Sequence, residues 1–266
     1  MVSCRWQLRR RRRLSTDLNA GPRWPTGVDL VVLDEVDSTM TEAALRAASI
    51  RVPTWIMAKR QTAGRGRRGK QWMDPRGNLA ATLVYKPQAT PQDAALRSFL
   101  AAVALFETLA FWVPRERLSL KWPNDVLLDG GKVAGILLES SGTAESVNWL
   151  SIGVGVNLAM VPQGVQDAAF PPVSVSSAVG YVIRPKDFLS LLATNFITQE
   201  NKLTYFGFER IRADWLRNAA RLGEAITART AQETLTGIFD TIDRDGNLVL
   251  ITGRGPVTIS AADVHF

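Results

Sequence analysis

Between residues 61 and 72 the chain reads Gln61-Thr62-Ala63-Gly64-Arg65-Gly66-Arg67-Arg68-Gly69-Lys70-Gln71-Trp72. Closely spaced glycines let a backbone approach a ligand and turn its N–H groups toward an anion. Arg65, Arg67 and Arg68 add planar, forked donors that suit phosphate or carboxylate. The stretch reads as a cradle for an anionic ligand. With nothing in the empty loop to offset its like charges, it should stay mobile until that anion arrives. A solvated Arg/Gly segment is the competing reading of the loop by itself. A second cluster stands at Lys121-Trp122-Pro123-Asn124-Asp125, with Lys132 beyond the turn Asp129-Gly130-Gly131. Lys121, Asn124, Asp125 and Lys132 are polar groups set among apolar strand residues, where a buried lysine needs an anionic partner. Either lysine alone could instead snorkel from a strand end.

These groups need elements to hold them. Leu30 to Leu33 is a short strand, and Asp37-Ser38-Thr39 precedes a helix marked by the capping-box pair Thr39 and Glu42. Residues 53–58 form a second strand that runs into the glycine loop, and 78–85 a third that leaves it. Residues 91–112, with apolar steps from Leu96 to Ala110, predict one core-facing amphipathic helix. The apolar runs 118–128 and 132–139 flank Asp129-Gly130-Gly131 as a hairpin. Val147 to Val156 is a strand in which Gly153 and Gly155 signal close approach by a ligand or neighbour, or a bulge; Asn157 closes it. Pro162 to Pro172 is a loop. Helices occupy about 185–205 and 208–217. From Gly223 short alternating strands predict a small β domain of barrel type.

The 266 residues are 46% hydrophobic and 21% charged, which gives a globular chain long enough for one full core and a small companion. No apolar run is long enough to span a bilayer. The single cysteine, Cys4, excludes a disulfide framework or multi-Cys zinc site. The single histidine, His265, excludes Ser-His-Asp chemistry unless the tail folds back, and is expected at the surface. The net charge is +7, and Arg5, Arg9 to Arg13 and Arg23 against Asp17 place +6 of it before residue 28. The rest of the chain is near neutral, which argues against a nucleic-acid-binding body. The arginine run is expected to be a disordered leader rather than a secretory signal.

Taken together, these stretches resemble the biotin protein ligases. The resemblance rests on Gly64-Arg65-Gly66-Arg67-Arg68-Gly69, Lys121 to Asp125, Gly131 to Glu139 and Gly153 to Asn157, in the family's order, from about Val28 onward. It implies an α+β fold: a mixed sheet with helices, like a class II synthetase catalytic domain, followed by a small SH3-like β-barrel. The expected division is a leader at 1–27, a catalytic domain at 28–218 and a small β domain at 219–266. It implies two steps, in which biotin and MgATP give biotinyl-adenylate and a lysine of a biotin carboxyl carrier domain then takes the acyl group. On the same resemblance Ser38, Thr39 and Gln61 hold the head of biotin, Arg65 to Arg67 fold over the adenylate with Gly64 and Arg68 counted among the binding residues, and Lys132 holds the acyl-phosphate. Gly135 leaves room for the ligand, while Asn124, Asp125 and Asn157 serve the nucleotide, with Asn124 and Asp125 toward Mg²⁺.

The chemistry agrees with that reading. A carboxylate is ionised at neutral pH, so adenylation needs no general base. It needs cations around the α-phosphate, which Arg67, Lys121, Lys132 and Mg²⁺ can supply. Asp125 either accepts the incoming lysine's proton or orients a neighbour, and Trp72 either stacks on adenine or packs in the core. The chain departs from the family at Met40, where Ser-Thr-Asn is usual. Too few residues precede the first strand for a DNA-binding domain, so a cytoplasmic ligase without DNA or membrane partners is expected. A lipoate or octanoate ligase is the alternative enzyme, and a basic nucleic-acid-binding protein the alternative outside enzymes.

Overall fold

The computed structural model describes residues 22–165 and 170–266, so Cys4 and the Arg9 to Arg13 run lie outside the described residues. Seven strands form one mixed sheet: β1 (Asp29–Leu33), β2 (Thr54–Ala58), β3 (Leu79–Tyr85), β4 (Leu118–Lys121), β5 (Asp125–Leu128), β6 (Gly131–Gly142) and β7 (Val147–Val156). Their order is β1-β2-β3-β7-β6-β5-β4, parallel only between β1 and β2. A parallel neighbour requires a crossover, and helix α1 (Thr39–Arg46) supplies it. Strands β2 and β3 are buried along their whole length, which explains their unbroken apolar runs.

Helices α2 (Pro91–Ala95), α3 (Arg97–Leu109), α4 (Val175–Val179), α5 (Pro185–Phe206) and α6 (Phe208–Arg217) complete the larger unit. The side chains of Phe99, Leu100, Val103 and Phe106 join the main core with Trp55, Leu83, Phe188 and Phe196. On the opposite face Ala43 of α1 and Ala47, which follows it, pack on Ile56 and Val84. A second, five-stranded antiparallel sheet holds β8 (Ala225–Arg229), β9 (Thr234–Ile242), β10 (Leu248–Thr252), β11 (Gly255–Ile259) and β12 (Asp263–His265), in the order β11-β10-β9-β8-β12. It is compatible with a small SH3-like unit, and no ladder closes it between β11 and β12 among the described residues. Its Phe239 meets Trp215 edge-on at 6.4 Å, so the two sheets share a core. No helix among the described residues is long and apolar enough to cross a membrane.

The structure corrects three local expectations. The cap of α1 is Ser38, whose Oγ accepts the Met40 N–H at 3.2 Å; the Thr39 hydroxyl is engaged elsewhere and makes no capping box with Glu42. The helix expected over 91–112 is two, parted at Leu96, where Arg97 is drawn to Glu200 at 2.6 Å. The run 118–128 is cut by Trp122-Pro123-Asn124, so two hairpins stand where one was expected. The second turns through Asp129 (φ 51°) and Gly130 (φ 78°), the left-handed pair that a tight hairpin turn requires. Helix α4 and strand β12 were not foreseen.

Candidate active site

A cavity of about 590 Å³ opens on the sheet face that α1 only partly covers. Register explains its floor. Asp125 pairs with Gly135, Gly135 with Gly155 and Gly155 with Ala80, one row across four strands. The next row places Leu137, Gly153 and Thr82 on the same face, since side chains repeat every second residue. Bare glycines let larger groups lie flat there. A Cβ on Gly155 would fall 2.3 Å from the Trp72 ring, and one on Gly153 would fall 2.8 Å from Met40 Sδ. The neighbours that approach these glycines are thus the chain's own Trp72 and Met40. Trp72 is a cavity wall rather than part of the core. Gly135 leaves room for Trp72 and Lys132, each 3.2–3.4 Å from where its Cβ would be.

One end of the cavity is neutral and hydrogen-bonding. Gln61 Oε1 accepts from Thr39 N (2.8 Å) and Thr39 Oγ1 (3.1 Å), and Thr82 donates to Thr39 Oγ1 at 2.8 Å. Ser38, Thr39 and Gln61 therefore come together as expected. With the Gln61 oxygen engaged, its amide N–H₂ is the donor that a ligand can use. Behind it, Asp74 Oδ2 accepts Gln61 N at 3.1 Å, while Asp74 Oδ1 is buried without a partner. Sequence reasoning missed Asp74, because only burial makes a carboxylate there unusual. Burial pushes its pKa up to about 6, and the Gln61 N–H only partly offsets this.

That shift has a measurable consequence. The folded pKa lies above the unfolded value of 3.8, so the cost of the ionised carboxylate is fully present above about pH 6. It disappears as pH falls toward 4. Two units correspond to about 3 kcal/mol, and partial solvation lowers this to about 1–2 kcal/mol. Asp74→Asn should therefore be more stable than the parent by that amount at pH 7.5 in urea unfolding, and the gap should shrink below about pH 6 and close only below about pH 4. A gap independent of pH would contradict this assignment.

The glycine loop, expected to leave its cations unopposed, is instead braced. Trp72 N donates to Gly64 O and Gly66 N to Lys70 O, closing a short stem around a 3-10 turn at Arg67–Gly69. Arg65 forks onto Glu139 at 3.0 and 3.1 Å and donates to Thr41 at 2.9 Å. Arg67 donates to Asn124 Oδ1 at 3.3 Å. Arg68 lies 3.2 Å and Lys70 3.6 Å from Asp263. Arg68 adopts φ 55°, ψ 31°, at a cost of roughly 1 kcal/mol for a residue with a Cβ. Each like charge has an opposing or accepting group. Arg67, more than half buried, has its pKa lowered by burial and then by Arg68.

The other end of the cavity is cationic. Lys132 Nζ lies 2.6 Å from Asp125 Oδ1, an ion pair without hydrogen-bond alignment, and buried Lys121 lies 3.7 Å from Asp125 Oδ2. Lys121 also sits 4.6 Å over the Phe170 ring and Lys132 5.6 Å from the Trp72 ring. Burial lowers the Lys121 pKa, against the pull of Asp125. Buried Asn157 is committed to the scaffold: its amide donates to Lys132 O and accepts from Asn78, each at 3.4 Å. Asn124 is similarly engaged, with Arg67 on its oxygen and Ile136 O on its amide. With Asp125 held between two ammoniums, Asn124 and Asp125 do not fit a protein-built metal site. No group of three or more metal-binding side chains occurs among the described residues.

The C-terminal strand supplies the remaining wall. Ala262 to His265 line the cavity, which corrects the expectation that His265 is a surface imidazole. The tail does fold back, because β12 pairs with β8 from Asp263↔Arg229 to His265↔Thr227. Burial pushes the His265 pKa down, assisted by Arg229, Lys121 and Lys70. The only sequence signal for this strand was the period-two pattern Ala262, Val264, Phe266.

An apolar, glycine-floored slot with amide and hydroxyl groups at one end and cations at the other defines a carboxylate- and nucleotide-handling ligase domain. Residues 32–157 match the Biotin/lipoate A/B protein ligase family and residues 222–266 the Biotin protein ligase C terminal domain. A "Biotin--[acetyl-CoA-carboxylase] ligase" of Paracoccus denitrificans is 48% identical over 238 residues, spanning 88% of this chain and 99% of that one. A bifunctional ligase/repressor of Bacillus subtilis is 31% identical, over 90% of this chain and 74% of its own length. The fold is also that of an Aquifex aeolicus biotin protein ligase solved with biotin and ATP, at TM-score 0.76 and 24% identity, covering 89% of this chain and 98% of that one. The chain belongs to the biotin protein ligase family.

Proposed function

We propose that this protein joins biotin to ATP as biotinyl-5′-adenylate and passes the biotinyl group to a lysine of a biotin carboxyl carrier domain, in the cytoplasm. Residues 28–218 form the catalytic part and residues 219–266 close its cation end. The observation that carries this is the polarity of this cavity: neutral donors at Ser38, Thr39 and Gln61, cations at Arg67, Lys121 and Lys132. A ligand with a polar, uncharged head and a carboxylate tail fits it in one orientation. A linear lipoyl or octanoyl chain would leave the head-end donors unpaired, which is costly when buried.

The chemistry follows from placement. A carboxylate oxygen of biotin attacks the α-phosphorus of ATP, and the bond to the bridging oxygen breaks as pyrophosphate leaves. Lys132 and Arg67 face that phosphoryl group and offset its charge, and Lys121 adds a third cation from below. Asp125 lies between the two lysine ammoniums and offsets their mutual repulsion, so that both can stand at this end of the cavity. Magnesium would be held by the nucleotide's phosphates rather than by a protein-built site, and would supply further neutralisation of their charge. In the second step the carrier lysine's amine attacks the acyl carbon and AMP leaves. Asp125, the carboxylate beside Lys132, takes the amine's proton once Lys132 has turned to the phosphate. The glycine loop over the cavity keeps water from the mixed anhydride.

Pyrophosphate release with MgATP and biotin, lipoate or octanoate tests the assignment. Release with biotin, at a kcat/KM at least about 100-fold above the other two acids, is expected. Release with lipoate or octanoate alone would transfer the site to the alternative enzyme.

A further inference from the structure

Two carboxylates face the cation end of the cavity, and they arrive by different routes. Asp125 stands in the β4–β5 hairpin and pairs with lysines of the same sheet. Asp263 comes from β12 of the other sheet, 195 residues away from Arg68 in sequence, and its ion-pair partners Arg68 and Lys70 both belong to the glycine loop. Its charge also acts on Arg67, Lys121 and His265, where it opposes in part the lowering of their pKa values that burial causes. The strand does not need the Asp263 side chain to stay in place, since β12 is registered on β8 and Ala262 and Val264 are buried. Arg68, its guanidinium partner, has a left-handed backbone. A carboxylate that receives one guanidinium and one ammonium is in the position of a phosphate oxygen. The Arg68 and Asp263 side chains are 41% and 44% exposed, so the contact is weak and open to exchange.

We propose that Asp263 is a positioning residue. It stands in for substrate phosphate, holding the glycine loop over the cavity in the ligand-free protein and releasing Arg68 and Lys70 to the nucleotide's phosphates. This rests on the reading of the cavity as a nucleotide site. The contact gives the small sheet a part in the reaction: it sets the loop near its closed position before substrate binds, which lowers the ordering cost at binding.

Limited trypsin digestion tests it, because the loop carries cleavable bonds after Arg65, Arg67, Arg68 and Lys70. In the absence of biotin and ATP, the loop of Asp263→Asn should be cut roughly fivefold faster than that of the parent. Asp263→Glu should restore the parental rate. Salt at about 0.5 M should speed cutting of the parent by a larger factor than that of Asp263→Asn, which keeps only the Arg65–Glu139 pair to be screened. With biotin and MgATP both proteins should be cut equally slowly, as phosphate takes over the two cations. Equal ligand-free rates would overturn the proposal. So would an excess in Asp263→Asn that persists with ligand, or cuts spread through β8 to β12, both of which mark a merely structural role. Failure of the biotin and ATP reading is distinguishable, because ligand would then protect neither protein while the ligand-free difference remained.

Discussion

Lys132→Ala should lower biotin-dependent pyrophosphate release by about 10²–10³-fold, mostly in kcat. Lys132 Nζ is 2.6 Å from Asp125 and lies beside the bare Gly135, so its charge projects over the floor where acid and nucleotide meet. A fixed cation at a developing phosphoryl charge is worth roughly 3–4 kcal/mol when water is excluded. The side chain is about a third exposed, and Lys121 remains as a partner for Asp125, so stability should change by about 1 kcal/mol or less. Arg60→Ala is the matched control. Arg60 pairs with exposed Glu35 just before the loop, and its loss should leave the rate within about twofold. A Lys132→Ala enzyme with near-parental kcat would remove Lys132 from the reaction.

Gly155→Ala should lower kcat/KM at least tenfold. The added Cβ would meet three atoms of the Trp72 indole at 2.3–2.6 Å, and neither partner can give way cheaply. Gly155 is in the middle of β7, and Trp72 closes the loop stem through Gly64. Overpacking of this kind costs about 1–3 kcal/mol and here is relieved by expelling the ring from the floor. Indole fluorescence should shift in step with the loss of rate. Gly135→Ala meets the same ring only at 3.2 Å and should cost much less. Reversal of that order would mean that Trp72 does not set the loop.

Much of this site was legible because its groups lie in short local segments. The glycine-arginine run, Lys121 to Asp125 and the two glycines of β7 each declare themselves by residue types that sit badly in an ordinary core. Strand β7 and helix α6 begin and end where their patterns do. What escaped was set by tertiary contact. Whether Ser38 or Thr39 caps α1 depends on Gln61, which takes the Thr39 hydroxyl. The loop's charges looked unopposed because Glu139 and Asp263 reach them across 74 and 195 residues. His265 read as a surface residue since nothing local says that β12 returns along β8. Asp74 was silent for the same reason, its distinction being burial rather than composition.

The most direct test of the account is a single turnover with ATP labelled at the α-phosphate. Biotin and excess enzyme should convert the label to biotinyl-adenylate that stays with the protein through rapid desalting. Adding a biotin carboxyl carrier domain should then release AMP and raise the carrier's mass by one biotinyl group at one lysine. Label that never forms an adenylate, or AMP released without modification of the carrier, would contradict the reading of this cavity as the place where biotin is activated and handed on.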